Sequence, residues 1–269
     1  MAETPIEANW QWQSPPKTLF LAPDEVHVWR VSLKCEQWDT ELSGTGLADC
    51  ELVRARSFRF EADRRRFVVS HIALRSILGL YLGFAPVDVP FDVGPYGKPR
   101  VASRKGSAPL RFNLSHSDEL ALLAVSMQRE VGVDVEFVRP ISSLDHLAAL
   151  FFSAYERETL KRMPPERQLE AFLRCWTRKE AYLKGCGDGI AERLRQFDVS
   201  LHRQSARLLE VRDRRGDEAR WALTELPVGT DYIAALAVEG EITAMNNRLI
   251  RWVGGAHFLM NGWAPETRL

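Results

Sequence analysis

Val131-Gly132-Val133-Asp134-Val135-Glu136-Phe137-Val138 alternates branched apolar residues with acids. Branched residues in a period of two read as a β-strand, whose successive side chains point to opposite faces. The valines then share one face, and Asp134 and Glu136 share the other. Two carboxylates on one face repel and raise each other's pKa, a cost that a cation between them removes. Oxygen donors select a hard ion such as Mg²⁺ over zinc. The same eight residues also suit a solvent-facing strand carrying two surface acids.

Outward from this strand, the chain reads twice in the same order. On the C-terminal side, SSLDHLAALFF and ERETLKRM have helical patterning. EAFLRCWTRKEAYLKG (170–185) is a long helix stopped by glycine-rich sequence, and YIAALAV (232–238) is a closing strand. On the N-terminal side, VHVWRVSL (26–33) reads as a half-buried strand and residues 47–82 as helical. HIALRSILGLYLG (71–83) is an amphipathic helix ended by Gly83, and LALLAVS (120–126) is a buried strand. Val26 answers to Val131 and Leu120 to Tyr232. The expected fold is therefore α+β, with two pseudo-symmetric lobes, each a small antiparallel sheet packed with helices. A site is expected at the seam between them. The divisions are an N-terminal arm at 1–23, an N-terminal lobe at 24–128, a C-terminal lobe with the metal site at 129–244, and a tail at 245–269 that packs across the body. Trp10 and Trp12 of the arm are expected to pack on the body.

Bulk properties narrow the function. The 269 residues carry 36 Lys+Arg and 36 Asp+Glu, so overall charge offers no support for nucleic-acid or membrane-surface binding. Cys35, Cys50, Cys175 and Cys186 form no CxxC pair or His/Cys cluster and read as reduced thiols. The first residues lack a basic region followed by an apolar run, and no apolar stretch approaches ~20 residues. These features read as a cytoplasmic protein.

Four further motifs carry candidate chemistry. In Trp176-Thr177-Arg178-Lys179-Glu180-Ala181-Tyr182-Leu183-Lys184, Glu180 and Lys184 are helix neighbours one turn apart. They suit a third oxygen ligand and a phosphate-binding cation, or an ordinary surface ion pair. In Phe112-Asn113-Leu114-Ser115-His116-Ser117, hydroxyls, imidazole and turn amides suit phosphate oxygens, while the absence of G-x-S-x-G argues against a hydrolase nucleophile. Tyr96-Gly97-Lys98-Pro99 is a turn that holds one lysine outward. Arg64-Arg65-Arg66, with Arg54, Arg56 and Arg59 upstream, is a basic helix or a solvated face. Gly185-Cys186-Gly187-Asp188-Gly189 follows a helix rather than preceding one, so it is a helix stop and not a phosphate loop.

Taken in order, GVDVE (132–136), WTRKEAYLKGCGDGI (176–190), FNLSHS (112–117) and YGKP (96–99) resemble the 4′-phosphopantetheinyl transferases of the larger, monomeric class typified by the surfactin-synthetase activator. The resemblance spans roughly Val26 to Val238. It implies transfer of the 4′-phosphopantetheine arm of coenzyme A to a serine of apo acyl, polyketide or peptidyl carrier proteins, with release of 3′,5′-ADP. It further implies that Asp134, Glu136 and Glu180 hold Mg²⁺, and that Lys184 contacts phosphate. Ser115 and His116 would contact the coenzyme A phosphates, and Lys98 and Arg66 the nucleotide end. Glu180 and Lys184 are the implied catalytic pair, Glu180 accepting the serine proton directly or through water. Glu156 matches a family acid near the site. Where some relatives have lysines before the basic helix, this chain has Glu51, Arg54 and Arg59. Leu144, Leu147, Leu150 and Phe151 suit carrier contact or core filling. The alternatives are a coenzyme A-binding regulator without transfer activity, and a nucleic-acid binder using the arginine helix, which zero net charge disfavours.

Overall fold

A computed structural model describes residues 11–16, 18–34, 46–94, 97–102, 110–187, 193–203, 205–242 and 247–251. The expectations for Trp10, Cys35, Tyr96, Asp188, Gly189, Ile190 and the tail past 251 lie outside these residues. The first half holds β1 (Val26–Ser32), α1 (Asp49–Arg56), α2 (Glu61–Leu82), β2 (Phe91–Val93), β3 (Pro99–Val101), β4 (Leu110–Ser117) and β5 (Leu120–Met127). The second holds β6 (Val131–Phe137), α3 (Leu144–Phe151), α4 (Ala154–Lys161), α5 (Pro165–Cys186), β7 (Phe197–Val199), β8 (Leu208–Val211), α6 (Asp217–Arg220), β9 (Trp221–Glu225), β10 (Tyr232–Glu239) and β11 (Asn247–Arg251).

The long helices have local causes. Each spans 22 residues and ends where a glycine takes left-handed backbone, Gly83 at φ 70° and Gly187 at φ 74°. Glycine reaches that region without steric cost and so closes a helix. Pro165 begins α5, where its missing N–H is not needed. β4 and β5 form a hairpin through Asp118 and Glu119, with Asp118 at φ 48°.

The first lobe is a sheet in the order β11-β1-β5-β4, and the second a sheet in the order β6-β10-β9. Antiparallel pairing joins β1 to β5 and β6 to β10, while β11 lies parallel to β1. Three cores follow. Trp29 and Val31 of β1 pack with Val69, Ala73 and Ile77 of α2. Phe172, Tyr182 and Leu183 of α5 pack with Phe152, Phe197 and Trp221. Between the lobes, Val26, Val28, Leu122 and Ala124 meet Val133, Val135, Ala234 and Leu236. β1 is therefore covered on both faces. The half-buried expectation for residues 26–33 fails because the second lobe occupies the face that would otherwise meet water.

The arm joins the seam. Trp12 packs against the inter-lobe core and donates its indole N–H to the Pro227 carbonyl at 2.7 Å, while Gln13 bridges to Ile250 of β11. Leu144, Leu147 and Phe151 lean on the second-lobe core, whereas Leu150 is exposed. Among the described residues, no helix is long and apolar enough to cross a membrane.

Candidate active site

FNLSHS is strand rather than turn, so its alternate side chains share a face. Asn113, Ser115 and Ser117 of β4 all reach β6. The Asn113 side-chain oxygen accepts from the Val133 N–H at 2.8 Å. Ser115 donates to Asp134 Oδ1 at 2.9 Å, and Ser117 donates to Glu136 Oε2 at 2.9 Å while accepting from the Phe137 N–H at 3.1 Å. The first lobe thus holds both acids of the second. Asn113 was not singled out from sequence, and Ser117 entered only as one of the hydroxyls of FNLSHS.

α5 reaches the same acids through an absent side chain. A Cβ added to Gly132 would lie 2.0 Å from the Ala181 carbonyl oxygen and 2.3 Å from the Gly185 nitrogen. Gly185 is equally confined, its Cβ falling 2.6 Å from the Trp221 ring. Glycine at 132 lets strand and helix touch backbone to backbone, and glycine at 185 leaves room for the Trp221 ring. The contact sets Lys184 Nζ 2.5 Å from Asp134 Oδ1 and 3.2 Å from Ser115 Oγ. Lys184 bonds Asp134 within its own lobe and Ser115 across the seam, rather than pairing with Glu180 along the helix.

Electrostatics mark the pocket. Burial, then the charges of Asp134 and Glu136, push Glu180 up to about 7 against the pull of Lys184. Burial and then Asp134 raise Glu136 as well. Burial opposes the charge on Lys184, yet Asp134, Glu180 and Glu136 together hold its pKa above the usual lysine value. Lys184 therefore remains an ammonium at neutral pH. Asp134 Oδ2 and Glu180 Oε1 are buried with no hydrogen-bond partner. Two unpaired carboxylate oxygens in a water-poor pocket are costly, and a hard cation answers both. Among the described residues, no group of three His, Cys, Asp or Glu side chains is gathered closely enough to hold a metal. Glu136 turns to Ser117, and Asp134 to Ser115 and Lys184.

The basic residues divide into two places. His116 faces away from Ser115 on β4 and is partly open to solvent, with its ring among protein groups. Loss of surrounding water, then the nearby His71, Lys184, Arg66 and Arg54, lowers its pKa. Such a cluster favours an anion. Arg66 is held by Asp118 at 2.6 Å and Glu119 at 3.3 Å. Arg64 instead pairs on the helix surface with Glu61 at 2.7 Å, as a solvated face would. Lys98 is not held outward as its turn suggested. Its ammonium points inward to the Gly185 carbonyl at 3.0 Å, the Val131 carbonyl at 3.3 Å and Glu130 at 3.3 Å. Two carbonyls freed at a helix end and a strand end attract it more strongly than solvent.

Glu156 lies in the interior of the second lobe and not at the pocket. It is wholly buried, accepts from Lys179 Nζ at 2.6 and 2.8 Å, and also accepts from the N–H groups of Ser153 and Val199. With Ser153 it forms the capping box that starts α4. Trp176 stacks on Phe172 and meets Phe151 edge-on, which makes it part of the second-lobe packing.

Residues 130–237 match the 4′-phosphopantetheinyl transferase superfamily, and residues 29–128 match the N-terminal region of 4′-phosphopantetheinyl transferases. The chain is 42% identical over 229 residues to the 4′-phosphopantetheinyl transferase HetI of Nostoc sp. (strain PCC 7120), covering 85% of this chain and 94% of that protein. It is 30% identical over 204 residues to psf-1 of Bacillus pumilus, covering 72% and 85% of the two. It is 29% identical over 160 residues to Sfp of Bacillus subtilis (strain 168), covering 60% and 69%.

Proposed function

This chain belongs to the 4′-phosphopantetheinyl transferase superfamily, and on that premise we propose that the seam between β4, β6 and α5 is where it transfers 4′-phosphopantetheine to carrier proteins. The family implies coenzyme A and apo carrier proteins as substrates. The observation that carries the site is the pair of unpartnered buried oxygens, Asp134 Oδ2 and Glu180 Oε1, beside the charged Lys184.

Asp134, Glu136 and Glu180 would hold Mg²⁺. When bound, the ion supplies charge neutralisation for the pyrophosphate of coenzyme A. The chain's own residues do the rest. Lys184 sits between Asp134 and Ser115, where it can hold a phosphate oxygen. His116, flanked by Arg66 and Arg54, offers a donor to a second phosphate. An anion there stabilises the imidazolium, so binding draws a proton onto the ring. Arg66 takes the nucleotide end by exchanging Asp118 for phosphate. Lys98 takes part in that contact only by giving up one of its backbone partners.

The carrier serine hydroxyl attacks the β-phosphorus as the bond to 3′,5′-ADP breaks, so positioning and charge stabilisation dominate the barrier. Glu180 accepts the serine proton. One chain supplies both sides of the seam, which supports a monomer as the working unit. Folded Asp134→Ala and Glu180→Ala variants should each lose transfer to an apo carrier by at least about 10²-fold, the scale for removing a charge-stabilising group. Wild-type rates in either variant would remove this site.

A further inference from the structure

We infer that Ser117 is a positioning residue for Glu136, presenting the second acid of β6 to the divalent cation; this rests on the reading of Glu136 as a metal ligand. The geometry is specific. A serine hydroxyl has one proton, and Ser117 gives it to Glu136 Oε2 at 2.9 Å. Its lone pair is fixed in turn by the Phe137 N–H at 3.1 Å. That second bond anchors the hydroxyl oxygen on β6, beside the Glu136 carboxylate that takes its proton. A free glutamate must lose side-chain rotamer freedom on binding an ion. A charge-assisted bond to a hydroxyl anchored on another strand restricts that freedom in advance.

The arrangement repeats one step along the strands. Ser115 holds Asp134 as Ser117 holds Glu136, but Ser115 also meets Lys184 and so belongs to the phosphate side. Ser117 has no such second duty among its recorded bonds. Asn113 fixes the register of the two strands at Val133, which keeps Ser117 level with Glu136. Hydrogen bonds to the groups that ligate a metal are a general means of orienting them, and their loss typically weakens metal binding by about 10–100-fold.

The test is Mg²⁺ titrated by calorimetry into the full chain saturated with coenzyme A, alongside transfer rates at varied Mg²⁺. Ser117→Ala should weaken Mg²⁺ about tenfold and raise the Mg²⁺ needed for half-maximal transfer by the same factor. Ser117→Cys, which keeps the size but donates weakly, should show the same loss without leaving a cavity. Ser117→Thr should restore wild-type affinity. In a Glu136→Gln background, Ser117→Ala should add nothing, because both changes act through one carboxylate. Unchanged Mg²⁺ affinity in folded Ser117→Ala, or an equal loss in both backgrounds, would overturn the inference. Unchanged Mg²⁺ affinity in Glu136→Gln alone would instead overturn the metal reading beneath it.

Discussion

The two lobes use one plan with different contents at the same places. Counting from the first residue of each strand, His27, Trp29 and Val31 of β1 correspond to Gly132, Asp134 and Glu136 of β6. Counting back from the closing glycine of each helix, Arg75, Ser76 and Tyr81 of α2 correspond to Lys179, Glu180 and Gly185 of α5. In the first lobe the strand meets its helix through side chains, since the Tyr81 hydroxyl bonds His27 Nδ1 at 2.7 Å and accepts from the Trp29 indole at 2.8 Å. In the second lobe the equivalent meeting is Gly132 on Gly185, with no room for a Cβ. The first lobe fills the space between strand and helix with apolar core. The second brings helix and strand together and places acids and a lysine there.

One feature is kept in both lobes. Glu51 caps the start of α1 and bonds Arg75 at 2.5 Å, as Glu156 caps α4 and bonds Lys179. In each lobe a buried cation ties the long helix to a short one. The shared brace is structural, whereas the strand–helix face is where the second lobe carries acids and a lysine.

Substitutions can break this comparison. The largest effect is expected from Gly132→Ala, whose new methyl would meet backbone atoms of α5 that cannot rotate away. It should abolish transfer and destabilise by about 3 kcal/mol or more, whereas His27→Ala at the matching place should spare the pocket. Normal transfer by Gly132→Ala would end the account of the close approach. Next is the brace: Lys179→Met leaves a buried Glu156 without its cation and should cost about 3–5 kcal/mol in denaturant unfolding. Stability equal to wild type would show that the pair is dispensable.

A smaller pH effect is expected at Glu180 of the second lobe. Glu180 is raised from 4.5 to about 7 in the metal-free protein, so the folded chain binds this proton more tightly than the unfolded chain. The unfolded state therefore loses it first, and Glu180 subtracts stability as pH rises from about 4.5 to about 7. Glu180→Gln should remove that loss, so its metal-free melting temperature should climb relative to wild type as pH rises across the window. The ion competes with the same proton, so the Mg²⁺ requirement should fall as pH rises toward about 7. A requirement independent of pH would separate Glu180 from the metal. The smallest effect is Lys98→Ala. One weakened contact is worth about 1 kcal/mol, so the coenzyme A KM should rise only several-fold.

Much of this was legible in sequence because it is local. The alternation of 131–138 placed Asp134 and Glu136 on one face, and Gly83 marked the end of α2. The spacing in WTRKEAYLK put Glu180 and Lys184 on one helix face. What was not legible depends on partners distant in the chain. Nothing near Gly132 says that a helix some fifty residues later will lie on it. Lys98 turned inward because of carbonyls at Val131 and Gly185, and β1 was buried on its second face because another lobe covers it. The serines of β4 were read for the phosphates alone, while their bonds to the acids appear only when two strands from different lobes lie side by side.

The central claim is that the second lobe's acids, held from the first lobe, make the transfer site. Intact-mass analysis of an apo carrier protein, incubated with coenzyme A and Mg²⁺ and with either the wild-type chain or folded Asp134→Ala, tests it most directly. The account predicts a gain of one phosphopantetheine with wild type, none when a chelator is present, and little or none with Asp134→Ala in the same time. Equal modification by the variant, or a gain that chelator does not affect, would contradict it.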